Sequence, residues 1–204
     1  GTVHILSVSG LHVGIIFSII SLLLSFIRRG SRFYPIRPLL IILLLWCYAF
    51  ITGLPPSVIR ASTMLTMFCL ADLLGQRKHN SLNRLFVAAL VMLLYNPFWL
   101  FDIGFQLSFI SVLSILVLHR RMVKLIACPN RVIAFVWNLL CLSLVAQLAT
   151  FPLCLYYFGT FPTYFFIANL IIVPLVSLIT YAVGLVVVAL VIGLALPMYI
   201  EPIL

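Results

Sequence analysis

The basic residues of this chain are confined to three short stretches, and this pattern constrains the fold more than any other feature. Of the 12 Lys and Arg residues, all but Arg60 lie in residues 28–37, 77–84 and 120–131. Long apolar segments flank each stretch, and basic residues in short loops mark the cytoplasmic side of a membrane protein. The pattern therefore predicts a chain that crosses the bilayer several times and keeps its basic loops inside the cell.

Composition agrees with this interpretation and argues against a water-soluble domain. The chain has 204 residues, of which 65% are hydrophobic and 7% are charged, too few polar side chains to cover a water-soluble domain. The net charge of +9 lies almost entirely in the loops, so basicity alone does not argue for nucleic acid. The five cysteines have neither the pairing nor the spacing of a disulfide framework or a metal site.

The apolar runs give the order of the membrane spans. The first five are predicted at residues 4–27, 38–53, 57–75, 82–95 and 105–118. Pro55 and Pro56 end the second helix and start the third, because proline suits the first turn of a helix but not its interior. Only 34 residues separate Arg84 from His119, too few for two full crossings of about 20 residues each. We therefore expect that pair to contain a short, tilted or broken helix.

The C-terminal part is long enough for further crossings, but its course stays open. Residues 132–158 are predicted as the sixth span and residues 159–162 as an outer turn. Residues 163–196 contain Pro174 and form one kinked helix, a re-entrant segment with a span, or two short spans. We predict an all-α, polytopic transmembrane bundle of seven spans, with eight as the alternative. We expect residues 1–204 to form a single transmembrane domain and to be a fragment of a longer protein.

Polar side chains inside the apolar runs cluster toward the predicted outer face. An ionisable or amide group in hydrocarbon costs several kcal/mol, about 3 for Arg or Asp, so such groups usually face the bundle interior or water. We therefore predict a hydrated vestibule that opens to the outside. Its predicted residues are His4, Ser7, Ser9, His12, Arg60, Asp102, Gln106, Gln147 and Asn169.

Each of these residues also has a structural interpretation. Arg60 and Asp102 could form a structural ion pair near the interface, a role compatible with contact to a ligand. The histidines could cap or bridge helices, and the three amide side chains could hold helices together, the interpretation preferred for Asn169. Asp72 lies near Arg77 and is predicted as its partner at the cytoplasmic interface.

Glycine and proline residues fall beside the polar positions. Broken helices expose backbone groups, which is tolerated at membrane depth only where protein or water satisfies them. Freed backbone beside polar side chains is what a translocation path requires. The predicted helix breaks are Gly10, Pro55, Pro56, Pro97, Gly104 and Pro174.

The same residues give little support to catalysis. Ser9 with His12 could imitate an intramembrane serine hydrolase, which remains a minor alternative. Asp72, Asp102 and Glu201 are too few and too scattered for a metal-dependent nuclease. We therefore predict no catalytic residue, no metal site and no cofactor in these residues.

Four segments resemble a known family when they are taken in order. They read HILSVSGLHV at residues 4–13, TGLPPSVIRA at 52–61, NPFWLFDIGFQLSF at 96–109, and AQLATFP at 146–152 followed by YFG and NLIIVP. In this order and spacing they closely resemble the membrane competence domain of the ComEC family. That resemblance implies a multi-pass channel in the bacterial cytoplasmic membrane that passes single-stranded DNA into the cytosol during natural transformation.

The resemblance also implies partners and leaves alternatives. The implied partners are single-stranded DNA, the lipid bilayer, a DNA receptor on the outer side and a cytosolic helicase-like ATPase. Family members often carry a metallo-β-lactamase-like domain, but its His-x-His-x-Asp-His run is absent here, so any nuclease would lie outside these residues. A small-solute secondary transporter is the main alternative function. A pore within one chain and a pore between identical subunits are equally open.

Overall fold

The computed structural model describes residues 10–26, 34–74, 81–126, 130–159, 175–176, 178–184 and 186, without the side chains of residues 26 and 132. This part of the chain is helical and contains no strand, as the all-α prediction requires. The α-helices whose bounds are defined are α1 Gly10–Leu23, α2 Ile36–Ile51, α3 Pro56–Leu73, α4 Ser81–Tyr95, α5 Ile103–Ser114, α6 Arg120–Val123 and α7 Arg131–Phe158. Each of the first five begins and ends within a few residues of its predicted span, except that α1 is described only from Gly10.

The turn between α2 and α3 lies where the paired prolines predict it. Gly53 and Leu54 both have positive φ, 80° and 53°, and the amide of Leu54 donates to the carbonyl of Ala49 at 3.0 Å. Such a left-handed end satisfies carbonyls that α2 leaves free. Pro55 then takes extended backbone and Pro56 occupies the first turn of α3, where its missing amide costs nothing.

The pair of helices α4 and α5 contains a short member, α4, which confirms the expectation drawn from the length of this part of the chain. Helix α4 has 15 residues, and a short 3-10 helix, Pro97–Phe101, separates it from α5. The side chain of Asn96 accepts a hydrogen bond from the amide of Phe98 and so caps this short helix. Beyond α5 the helix continues through a π-helical turn, Ile115–His119, into α6.

Helix α3 occupies the centre of the packing. It contacts α1, α2, α4 and α5, while α5 packs along α7. One buried cluster joins α1, α2 and α3 through Val13, Leu45, Ala49 and Val58. A second joins α3 to α4 through Met64, Leu85 and Ala88. The polar residues of α3 are therefore surrounded by the other helices.

The outward faces of the helices carry many large apolar side chains, and examples such as Ile51 and Phe98 are 84% and 77% exposed. Continuous apolar surface of this kind is rare on water-soluble monomers and marks contact with a membrane or another protein. Among the residues that the structure describes, two helical stretches, Ile103–Val123 with 21 residues and Ile133–Phe158 with 26, are long and apolar enough to cross a membrane.

The prediction of seven spans is not confirmed. Helices α2 and α4 have 16 and 15 residues. At about 1.5 Å per residue they reach some 22–24 Å, less than the roughly 30 Å hydrocarbon core. Helix α3 has 18 residues, but its polar side chains, Arg60 and Asp72 among them, lower its hydropathy. Most of residues 163–196 lie outside the described part, although residues 178–184 are helical and Gly184 approaches Ile19 of α1.

The bundle has two ends that differ in chemistry. The Gly53 end is defined here by the α2–α3 turn and by the segment between α4 and α5. The basic end is defined by the last turns of α1 and α3 together with the first turns of α2 and α4. Arg37 and Arg84 lie in those first turns, whereas Arg60 lies near the Gly53 end.

Candidate functional site

Arg60 lies one turn into α3 from the Gly53 end, and two side chains of the α5 region hold its guanidinium. Its Nη1 lies 3.2 Å from Oδ2 of Asp102. Its Nε donates a hydrogen bond to Oγ of Ser108 at 3.1 Å. The side chain of Arg60 is 14% exposed and that of Asp102 is 47% exposed. The arginine is therefore enclosed by helices, and the carboxylate forms the open side of the pair.

Asp102 is held in place by the helix that follows it. Its side chain caps the N-terminus of α5, where Oδ2 accepts a hydrogen bond from the amide of Phe105 at 2.9 Å. Asp is among the favoured residues for this position, because a carboxylate satisfies free amides and interacts well with the positive end of the helix dipole. The same oxygen thus serves both the cap and Arg60.

Helices α3 and α5 lie close together at Gly104, because glycine has no side chain. A Cβ atom at Gly104 would lie 2.8 Å from Nη2 of Arg60 and 3.2 Å from its Cζ. The hydroxyl of Ser108 also donates to the carbonyl of Gly104. Gly104, predicted as part of a helix break, is instead helical in the first turn of α5, and its role is close packing against the guanidinium.

A cavity of about 210 Å³ opens beside the ion pair. Its wall is mostly apolar, and its two charged groups, Arg60 and Asp102, cancel each other formally. The lining residues are Pro56, Ile59, Arg60, Met92, Trp99, Asp102 and Phe105. This cavity offers one cation, one carboxylate and an indole ring, an arrangement suited to weak binding of a small polar group.

Gln106 lies beside this cluster and links it to α7. Its Nε2 donates to the carbonyl of Leu100 at 2.9 Å, and its Oε1 accepts from the hydroxyl of Tyr157 at 3.1 Å. The last turn of α7 therefore lies at the Gly53 end, close to the first turn of α5. Asp102 and Gln106 are also joined through their backbones, because the amide of Gln106 donates to the carbonyl of Asp102.

Of the other predicted vestibule residues, the two that the structure describes, His12 and Gln147, do not line this cavity. His12 is half-buried on α1. Gln147 lies on α7, and its Nε2 is buried with no hydrogen-bond partner among the described residues. Four further predicted residues lie outside the described part of the chain: His4, Ser7, Ser9 and Asn169. Within that part, the structure thus brings together three of the predicted residues: Arg60, Asp102 and Gln106.

The predicted helix breaks fall into three groups. Pro55, Pro56 and Pro97 lie at helix starts close to the cluster, as their spacing predicts. Gly10 is already helical where the description begins, and a Cβ there would lie 3.5 Å from that of Ala61. Pro174, like Arg77, the predicted neighbour of Asp72, lies outside the described residues.

Sequence reasoning missed the role of Ser108. A lone serine in an apolar helix carries little signal, and only its spacing of four residues from Gly104 sets it on the face toward α3. Within the described ranges, no group of three or more His, Cys, Asp or Glu residues is arranged to hold a metal ion.

Comparisons with known proteins identify relatives across the chain. The family model described as "Competence protein" matches residues 1–202. The chain is similar to "ComE operon protein 3" of Bacillus subtilis (strain 168), with 36% identity over 174 residues, which is 85% of this chain and 21% of that protein. It is also similar to an uncharacterized protein of Aquifex aeolicus (strain VF5), with 39% identity over 120 residues, covering 59% of this chain and 27% of that protein.

A third relative is the uncharacterized protein YcaI of Escherichia coli (strain K12), with 28% identity over 212 residues, or 98% of this chain and 27% of that protein. The chain therefore spans about a fifth to a quarter of the length of the curated relatives that it matches. No solved structure matches it significantly.

Proposed function

Because this chain belongs to the competence protein family, as its sequence resemblance predicts, we propose that it forms part of a channel in the bacterial cytoplasmic membrane for single-stranded transforming DNA. The match of the family model to residues 1–202 is the observation that carries this proposal. The enclosed Arg60 and the broken helix beside it support the proposal, because an intramembrane charge lining a cavity is typical of a translocation path.

The chemistry of the Arg60 cavity is compatible with a passing strand. Each nucleotide carries one negative phosphate, which a guanidinium binds through paired hydrogen bonds, and an indole ring such as that of Trp99 can stack on a base. In this proposal a phosphate takes the place of Asp102 at Arg60 for a moment, and Asp102 then recovers its partner. That exchange would keep binding weak, which a polyanion needs if it is to keep moving.

The cavity of about 210 Å³ also sets a condition on the mechanism. It lies below the roughly 300–1,000 Å³ of pockets that hold drug-sized ligands, so a nucleotide with its base does not fit without rearrangement. We therefore propose that the structure is a closed state and that α5 moves away from α3 to open the path. The half-exposed Asp102 would be the side of the pair from which the strand enters.

The wider context of this function is also part of the proposal. The chain would act in a multi-pass membrane domain with an outer-side DNA receptor and a cytosolic helicase-like ATPase as partners, either as one subunit or as a homo-oligomer. It would carry no catalysis, and any nuclease activity would belong to another part of the protein. A small-solute transporter is the main alternative function, and DNA uptake by substituted protein distinguishes it from a DNA channel.

The test is DNA uptake by a competent host that carries substitutions in the full-length protein. Arg60→Ala should lower the uptake of a labelled strand by about tenfold or more, the effect of about 1.4 kcal/mol. Arg60→Lys should have a smaller effect, because it keeps the charge but loses the planar fork. Arg121→Ala is the matched control, since Arg121 is exposed on α6 far along the chain from the cavity.

A second variant keeps the test informative if Arg60→Ala reduces the amount of protein in the membrane. Asp102→Asn retains the helix cap but frees the guanidinium, so the affinity for a short single-stranded oligonucleotide should rise. Normal uptake with Arg60→Ala at normal protein levels, together with unchanged oligonucleotide affinity in Asp102→Asn, would contradict the proposal and favour a small-solute transporter.

A further inference from the structure

A second cavity lies at the basic end and takes no part in the Arg60 cluster. Its volume is about 200 Å³, and its walls come from α1, α2, α3 and α4. Two arginines and one aspartate line it, which gives the lining a formal charge of +1. The lining residues are Phe17, Ser21, Arg37, Pro38, Ile41, Phe68, Cys69, Asp72 and Arg84.

Arg37 is fixed in this cavity by neutral groups and has unused donor capacity. Its Nη2 donates to both the carbonyl and the hydroxyl oxygen of Ser21, at 3.0 and 3.2 Å. Its Nε is buried and has no hydrogen-bond partner among the described residues. The observed partners of this guanidinium are neutral, so its positive charge remains available to attract an anion in the cavity.

The second arginine and the aspartate are held by aromatic residues. The guanidinium of Arg84 lies over the ring of Phe68, with its Cζ 5.5 Å from the ring centroid. The hydroxyl of Tyr34 donates to Oδ2 of Asp72 at 2.6 Å. Both arginines are therefore positioned before any ligand arrives, and positioned donors lose less entropy on binding than mobile ones.

We propose that the basic-end cavity binds the phosphate of an anionic phospholipid headgroup. The residues that would recognise it are Arg37 and Arg84, with Ser21 at the edge of the site. Basic pockets between membrane helices bind such headgroups, and charge-assisted bonds from guanidinium to phosphate are among the strongest hydrogen bonds in proteins. The apolar wall formed by Phe17, Ile41 and its neighbours fits the position of a headgroup above acyl chains.

The observations favour a lipid over a DNA strand as the source of this phosphate. The cavity of about 200 Å³ accommodates a small anionic group more readily than a nucleotide with its base. The ring of Phe68, which could have stacked on a base, is covered by Arg84. Free inorganic phosphate shares the same chemistry, but it lacks the acyl chains that the exposed apolar faces of the helices would contact.

The experiment measures lipid retention by the full-length protein. Protein purified in detergent is incorporated into nanodiscs of phosphatidylcholine with a minor fraction of phosphatidylglycerol, and the lipids kept after release are counted by native mass spectrometry. The wild type should retain phosphatidylglycerol selectively, and the double variant Arg37→Gln/Arg84→Gln should retain it about tenfold less. The matched control is Arg120→Gln/Arg121→Gln, which removes the same charge from exposed positions and should retain lipid as the wild type does.

A further variant tests the electrostatics without removing an arginine. Asp72→Asn has nearly the same shape, can still accept from Tyr34 and removes the one carboxylate of the lining, so phosphatidylglycerol retention should rise several-fold. Equal retention of the two lipids by the wild type, or equal losses in both double variants, would overturn the proposal. Two other outcomes would also overturn the proposal. If inorganic phosphate and not phosphatidylglycerol occupied the cavity, the site would be a phosphate site. If the Arg37 and Arg84 variant lost oligothymidylate binding but kept its lipid, the site would belong to DNA.

Discussion

The two polar clusters of this bundle use arginine in opposite ways. At the Gly53 end, Arg60 forms a direct ion pair with Asp102 and a hydrogen bond to Ser108. At the basic end, Arg37 donates to the neutral Ser21, and the guanidinium of Arg84 lies over the ring of Phe68. The first cluster is balanced in charge, whereas the lining of the second carries an excess positive charge.

This difference indicates how each end behaves toward an anion. A phosphate that approaches Arg60 has to compete with a carboxylate that is already fixed by the cap of α5, so binding there is weak and reversible. A phosphate that approaches Arg37 meets a guanidinium whose observed partners are neutral, so we expect binding there to be more persistent. Weak binding suits a path and persistent binding suits an anchor. The following substitutions test whether the side chains at the Gly53 end are closely packed and satisfy one another's hydrogen bonds.

The largest effect on stability is expected from Gly104→Ala. The added Cβ would lie 2.8 Å from Nη2 of Arg60, which Asp102 and Ser108 hold, so either the ion pair or the helix spacing must give way. Overpacking of this kind costs about 1–3 kcal/mol of the free energy of unfolding. The measurement is thermal unfolding in detergent, followed by tryptophan fluorescence.

Gly14→Ala is the matched control for that substitution. Gly14 is also helical, but a Cβ there meets nothing within 4 Å. Alanine should therefore be neutral or stabilise the protein by up to about 1 kcal/mol, the usual preference of a helix for Ala over Gly. Equal losses at the two glycines would mean that close contact with Arg60 is not what requires Gly104.

A smaller effect is expected from Asp102, and two substitutions separate its two roles. Asp102→Ala removes the cap of α5 and the ion pair, and the cap alone contributes about 0.5–2 kcal/mol. Asp102→Asn keeps an oxygen for the amide of Phe105 and removes only the charge, which at a half-exposed position contributes about 0–1 kcal/mol. Chemical unfolding of both variants measures the difference. If Asp102→Asn costs as much as Asp102→Ala, the ion pair and not the cap holds the two helices together.

Most of the helix order could be predicted from the sequence, because it depends on local sequence signals. The paired prolines before Arg60, the Asn-Pro break before Asp102 and the basic stretches all act within a few residues of their own position. The closeness of Arg60 and Asp102 was also predicted as one alternative, since both lie at the outer ends of their predicted spans, the third and the fifth. The number of full membrane crossings was not confirmed, because helices such as α2 and α4 have only 16 and 15 residues, and apolar composition does not show whether a helix of that length crosses the bilayer.

The rest of the site depends on contacts between helices and left little signal in the sequence. Gly104 was interpreted as a break because glycine weakens helices, while its actual role follows from the position of a side chain 44 residues earlier. Arg37 and Arg84 were assigned to the loops as markers of topology. Both lie in first turns of helices, where their side chains reach inward, and only the helix boundaries reveal this.

The smallest effect on the free energy of unfolding is expected from Ser108 and Ser21, the serines that contact an arginine at the two ends of the bundle. These two serines also give the closest comparison of the two ends. Ser108→Ala leaves Nε of Arg60 without its observed acceptor inside the packed cluster, so the loss should be about 1 kcal/mol. Ser21→Ala should cost less, about 0.5 kcal/mol, because the backbone carbonyl of residue 21 still accepts from Nη2 of Arg37. Both serines are half-buried on helices, so the difference in their unfolding midpoints reports on the arginine that each one holds. A larger loss at Ser21 would reverse the comparison, because the hydroxyl contact at the basic end would then be the less replaceable of the two.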